Sequence, residues 1–289
     1  MDKALILKKK YDAGEINGYQ QAQPFLEMSD LVRELLTDFD FDMLNLLNRL
    51  TEIAEIPFAH QLPKVRSWLD KFVELGSCSD GFSITGKGDD MLSCYNAMAT
   101  SVLIRMHYPV IERIQKGIEW ILKYQNVERG TPNIWPGNRA LKYGGCLKST
   151  PCYIGVVKSM IALSDYRIQP YYKSNETLEN KLRTGLNYIL GHNLYKRQSN
   201  GKPITSDIEK ITYPFSYKTN VIELLRLMKD NNLLTDSRCD DAKTLLRNKK
   251  HKNGYWQINS SYTPKCWLTF DKVKEPGWWV SCEIEKLLE

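Results

Sequence analysis

The sequence predicts an all-α protein, an α/α toroid of about four to five helix pairs packed around a central cavity. Three features of the chain point there. Apolar residues recur every three or four positions through most of its 289 residues, the spacing of a helix with one buried face. No segment shows the sustained alternation of a half-buried strand. The helices also come in pairs. First helices begin near Cys94, Cys152, Tyr217 and Trp279, at intervals of 58, 65 and 62 residues, and a recurring period marks a repeat architecture.

Residues 1–23 read as an N-terminal extension and residues 24–289 as the toroid domain. Leu31, Leu35 and Leu36 follow a cap at Ser29 or Asp30, and Leu44, Leu47 and Ile53 follow Asp40. Val65, Trp68, Leu69, Phe72 and Val73 share one face. Ala97, Val102, Ile104 and Met106 begin after Ser93, and Ile111, Ile114, Ile118, Ile121 and Leu122 form a regular amphipathic run. Thr150-Pro151 supplies a cap and a first-turn proline for Ile154, Val157, Ile161 and Leu163. Further helices are predicted within residues 178–190, 221–228, 242–246 and 280–288. Ser199-Asn200-Gly201 is a turn signal, predicting a short hairpin between Tyr195 and Ile204.

The loops favour a ring over an open solenoid. Asp80-Gly81-Phe82, the segment from Gly130 to Trp135, and Asn253-Gly254-Tyr255-Trp256 all follow second helices. Each places a large aromatic after a glycine, where it can plug the next helix pair.

At these residues the sequence resembles the terpenoid cyclase and protein prenyltransferase superfamily, whose hallmark is the QW repeat. Lys116-Gly117, Trp120, Ile121-Leu122, Gln125, Gly130 and Trp135 follow that order with a stretched loop. Ala242, Leu245-Leu246 and Asn253 to Trp256 form a partial copy without the glutamine. Gly185, Tyr188, Ile189-Leu190 and His192 form another without the final tryptophan. From Cys146 to Glu289 the chain looks like a prokaryotic branch of that superfamily. The motifs that carry this are Lys148-Ser149, His192 to Tyr195, Tyr213 to Tyr217, Asn253 to Trp256 and Glu275 to Val280. The resemblance implies the toroid and a cavity for an apolar, isoprenoid-like molecule or a peptide. It implies no reaction, because one fold hosts many functions. Asp38-Phe39-Asp40-Phe41-Asp42 lacks the paired aspartates of the class II cyclases and reads as helix capping. No clean match to the prenyltransferase zinc site is present.

Cysteines give the sharpest chemical expectation. Cys94 and Cys152 begin first helices, with Cys146 just before Cys152. In a toroid such helix starts gather at one mouth of the cavity. Helix N-termini favour thiolate, and three converging thiolates suit zinc with an open position. Separately buried thiols are the competing reading, and Cys239, Cys266 and Cys282 are read as structural. Trp135, His192, Tyr217, Trp278 and Trp279 are the candidate ligand-binding residues, because ligand cavities are commonly lined by aromatics with a few polar groups. The enzyme reading is a metal- or thiol-assisted transferase or cyclase. The alternative is a non-catalytic helical-repeat scaffold for a protein partner.

Bulk composition excludes little. Lysine and arginine number 40 against 34 acidic residues. That mild, dispersed excess does not argue for nucleic acid, and Lys249-Lys250-His251-Lys252 sits at an expected helix end, where cations are favoured. No run approaches the ~18 apolar residues of a membrane span. The N-terminus places its apolar residues before its lysines, opposite to a secretory signal, which leads to the expectation of a cytoplasmic protein. Seven scattered cysteines fit reduced thiols.

Overall fold

A computed structural model of the chain describes residues 1–135, 149–260 and 268–289. Among them the protein is all-α, with twelve helices and one two-stranded hairpin. The helices are α1 (Lys3–Asp12), α2 (Tyr19–Glu27), α3 (Asp30–Leu35), α4 (Met43–Ile53), α5 (Pro63–Gly76) and α6 (Ser93–Arg105). They continue with α7 (Ile111–Tyr124), α8 (Tyr153–Arg167), α9 (Glu176–Leu190), α10 (Val221–Asp230), α11 (Asp240–Asn248) and α12 (Trp278–Leu288). The hairpin joins β1 (Ser77–Cys78) to β2 (Gly81–Phe82).

Burial sorts the helices into two layers. α6 and α8 are buried almost all round, from Ala97 to Ile104 and from Gly155 to Met160. A helix apolar on every side belongs inside a helical layer. α4 and α10 behave similarly, with Leu46 to Ile53 and Val221 to Leu225 buried. α5, α7, α9 and α11 each bury a single stripe, for example Ile114, Gly117, Ile118 and Ile121 on α7. The inner helices α4, α6, α8, α10 and α12 pack in sequence on one another, and each of α5, α7, α9 and α11 packs on the inner helix before it.

Small residues set how closely the layers approach. A Cβ on Gly117 would strike the Thr100 hydroxyl of α6, and one on Gly185 would strike Met160 of α8. Ala242 on α11 is fully buried at the corresponding place. Gln125, which ends α7, is 1% exposed and spans two repeats. Its Oε1 accepts from Ser159 of α8 at 3.5 Å, and its carbonyl accepts from Lys181 of α9 at 2.9 Å. Trp256 joins α11 to α12: its Nε1 donates to the Leu246 carbonyl at 2.7 Å, and its backbone nitrogen donates to Ser281 Oγ at 2.9 Å.

The caps expected at Ser29 and within the aspartates from Asp38 to Asp42 are present, and Asn175 and Asn220 add two more. Ser29, Asp42, Asn175 and Asn220 each accept from a first-turn backbone N–H. The Ser199-Asn200-Gly201 turn closes a small hairpin, with Lys196 bridged to Pro203 and Gly201 at φ +67°. Three details differ. α8 starts at Tyr153 with Cys152 as its cap residue, not at Thr150-Pro151. α10 starts at Val221, so Tyr217 lies in the loop before it. Residues 1–23 are not an appendage, since Ala4, Leu5, Leu7 and Ala22 join the core. α1 also packs on α12, where Lys286 binds Asp12 at 2.5 Å and Lys8 lies 3.4 Å from Glu283.

Candidate functional site

The last turns of α6, α8 and α10 converge with the end of α4 on a small cavity of about 70 Å3 that opens to solvent. Its wall mixes apolar side chains, Met98, Val102, Ile161, Phe215 and Leu227, with charged and hydroxyl groups: Arg105 and Ser101 from α6, Asp165 and Lys158 from α8, Arg226 and Asp230 from α10. A wider vestibule shares Arg105, Asp165, Arg226 and Asp230 and continues past Phe58, His60 and His107.

Glu55 organises this wall from behind. Its carboxylate accepts from Arg105 Nη2 at 2.6 Å, Arg226 Nη1 at 2.6 Å and the Tyr213 hydroxyl at 2.8 Å. Burial alone would raise its pKa, but the two guanidiniums outweigh burial and hold it well below the usual carboxylate range. Lys158 is committed too, to Glu223 at 2.5 Å and to the Ser216 carbonyl at 2.7 Å.

Asp165 differs. Its Oδ2 accepts from Ser101 Oγ at 2.5 Å. Burial pushes its pKa up to about 6, against the pull of Arg105, the Ser101 hydrogen bond and Arg226. Asp230, exposed at the rim, is raised as well: loss of water on its protein side outweighs Arg226 and Arg105. The cavity thus pairs spent cations with two carboxyls whose protons are held more tightly than usual, a pattern typical of functional sites.

The residues predicted from sequence lie elsewhere. Cys94 and Tyr217 do converge at the opposite end of the inner helices, with Sγ 3.7 Å from the hydroxyl and Tyr217 stacked on Tyr95 at 5.1 Å. Cys152 is close enough to perturb Cys94 electrostatically. At Cys94 burial pushes the thiol up to about 11, which opposes the thiolate expected at a helix start. Cys146 lies outside the described residues. Trp135 is half-buried and packs back on Trp120 and Tyr124 of α7, at 5.1 and 4.8 Å, rather than into the cavity. Trp279 is 2% exposed in a core cluster with Phe270 and Tyr213. Trp278 is 48% exposed on the outer surface beside Tyr255. The cavity lining includes neither tryptophan, because the start of α12 is capped by Asp271, which accepts from both backbone N–H groups of Trp279 and Val280. His192 lines a separate cavity with Tyr153 and Tyr188.

Among the described residues, the ligand atoms of Asp12, Cys282 and Glu283 lie within 4.8 Å of one another, a geometry compatible with a metal ion. Both carboxylates are already paired with lysines, Asp12 with Lys8 at 2.7 Å and Glu283 with Lys286 at 2.9 Å. No helix among the described residues is long and apolar enough to cross a membrane. No protein-family model matches the chain, and neither a curated protein nor a solved structure does.

Proposed function

We propose that the chain is a closed α/α ring whose central cavity binds a small polar molecule rich in hydroxyl or amine donors, with Asp165 positioned to exchange a proton with it. Ring closure is supported by the packing of α1 on α12 and on α3, which leads into α4. The observation that carries the reading is Asp165. It is a cavity carboxyl with a pKa near 6, and its hydrogen-bond partner among the described residues is a neutral hydroxyl. A group poised near neutrality is suited to general acid–base work. Ser164 and Thr51 add hydroxyls to the same wall.

The wall also bears on the apolar ligand that the toroid resemblance implies. An isoprenoid chain would strip water from Arg105, Asp165, Arg226 and Asp230 without replacing its hydrogen bonds, which is costly. A sugar, polyol or amine replaces them. A zinc ion at Asp12, Cys282 and Glu283 would have to displace Lys8 and Lys286, so that cluster reads better as an ion-pair seam closing the ring.

The test is a thermal-shift panel of monosaccharides, polyols, primary amines and farnesol, on wild type and Asp165→Asn. The reading expects stabilisation by a member of the polar set, removed by Asp165→Asn, and none by farnesol. Stabilisation by farnesol with an inert polar set would overturn it.

A further inference from the structure

We propose that the cavity around His192 is a second ligand site, built for an oxyanion that brings its own hydrogen-bond donor. Monohydrogen phosphate and α-hydroxy carboxylates such as lactate share that chemistry.

The case begins with the tautomer. His192 Nδ1 lies 2.8 Å from the Lys196 carbonyl oxygen. A carbonyl only accepts, so Nδ1 carries the hydrogen, and the neutral ring presents Nε2 as a lone pair. His192 is 4% exposed, and Nε2 is buried with no hydrogen-bond partner among the described residues. Buried polar atoms are nearly always satisfied, and an exception calls for a ligand, water or ion. The ring is gripped edge-on by Tyr153 at 5.4 Å and Tyr188 at 5.0 Å. The Tyr153 hydroxyl is itself committed to the Leu194 carbonyl, so neither ring can turn to satisfy the other.

The surroundings define the ligand. His192 lines a cavity of about 580 Å3 that opens to solvent, with the exposed Arg129 and Arg197 in its wall. Arg197 is steadied by the Lys196–Pro203 bridge and donates one Nη2 hydrogen to the Ile204 carbonyl at 3.1 Å, leaving other donors of its fork free. Two guanidiniums select an anion and repel a cation. An anion without a proton would set its negative oxygen against the Nε2 lone pair. One that carries a hydroxyl can give that hydrogen to Nε2 while its charge faces the arginines that line the same cavity. Burial, followed by the charge of Arg129, lowers the His192 pKa, which keeps the ring in its accepting form. This cavity shares no lining residue with the central one: Tyr153 begins α8, whereas Asp165 is in its last turn.

Isothermal titration with phosphate, lactate, sulfate and acetate at neutral pH tests the assignment on wild type, His192→Ala and Arg197→Gln. Phosphate or lactate should bind at least ~10-fold more tightly than the donor-free anions sulfate and acetate. Which of the two binds identifies the source of the group. His192→Ala should remove the preference, and Arg197→Gln should weaken every anion while keeping it. Equal affinities across the four anions, no binding by either donor-bearing anion, or a preference that survives His192→Ala would overturn the proposal. If His192→Ala fails to fold, imidazole 15N spectra of wild type decide. The Nε2 resonance of His192 should move with the bound donor-bearing anion and not with sulfate, and an unmoved resonance would overturn the proposal.

Discussion

Glu55 and Asp165 feel the same two arginines, yet their carboxyls shift in opposite directions. The difference is contact. Glu55 holds both guanidiniums and a tyrosine hydroxyl directly, while among the described residues the Asp165 carboxyl holds the Ser101 hydroxyl. Replacing Glu55 with glutamine leaves two cations beside a neutral group, and breaking a buried pair in this way costs about 3–5 kcal/mol. Glu55→Gln should therefore lower the urea midpoint sharply. The pH signs follow. Glu55, lowered in the folded state, contributes stability that is complete above its ordinary 4.5 and fades as the pH falls below it. Asp165, raised, does the reverse: ionising it in the folded state costs stability as the pH climbs from 3.8 through about 6. Asp165→Asn should thus be more stable than wild type by about 1–3 kcal/mol at neutral pH, and the two should converge in acid. Denaturant curves across that range check both signs. Gain of stability on removing a carboxyl is the usual signature of a residue kept for function.

At the scale of elements, the glycine contacts between layers are the most exposed to test. Gly117→Ala places a methyl against the Thr100 hydroxyl. Overpacking of this kind costs about 1–3 kcal/mol, partly offset by about 1 kcal/mol of better helix propensity. Thr100→Ala should rescue it, and a double-mutant cycle in chemical denaturation should show positive coupling between the sites. Most of the elements were legible in the sequence for a physical reason: amphipathic helices repeat apolar residues at their own period, as at Ile111, Ile114, Ile118 and Ile121. Caps were legible at Ser29 and along the aspartates that end in Asp42, because side-chain acceptors there meet free backbone N–H groups. The start of α10 at Val221 was legible too, whereas the repeat phase set at Tyr217 falls in the loop before it, where Tyr217 packs on Tyr95 and Asn220 caps the helix. The aromatics misled because a buried tryptophan looks the same in a sequence whether it faces a cavity or a core. Trp279 faces Phe270 and Tyr213.

Across the whole molecule, the site was the least legible feature, though a signal for it existed. Arg105, Asp165 and Arg226 interrupt otherwise apolar inner helices and stand 60 and 61 residues apart, close to the repeat interval. Taken one at a time, the two arginines read as partners of the helix dipole. Taken together at the repeat period, the three residues mark one end of the inner helices. The proposed ring depends on α1, whose Asp12 and Lys8 meet Lys286 and Glu283 of α12. Deleting residues 1–12 should uncover α12, lower the melting temperature and enhance binding of a hydrophobic dye, whereas a dispensable extension would leave both unchanged. The central claim is that the charged end of the inner helices holds a carboxyl poised for proton exchange. Site-resolved 13C titration of the aspartate carboxyls, with Asp165→Asn to assign the signal, tests it most directly. The structure predicts a midpoint about 6 for Asp165. A midpoint at the ordinary 3.8 would place that carboxyl in open water and contradict the account.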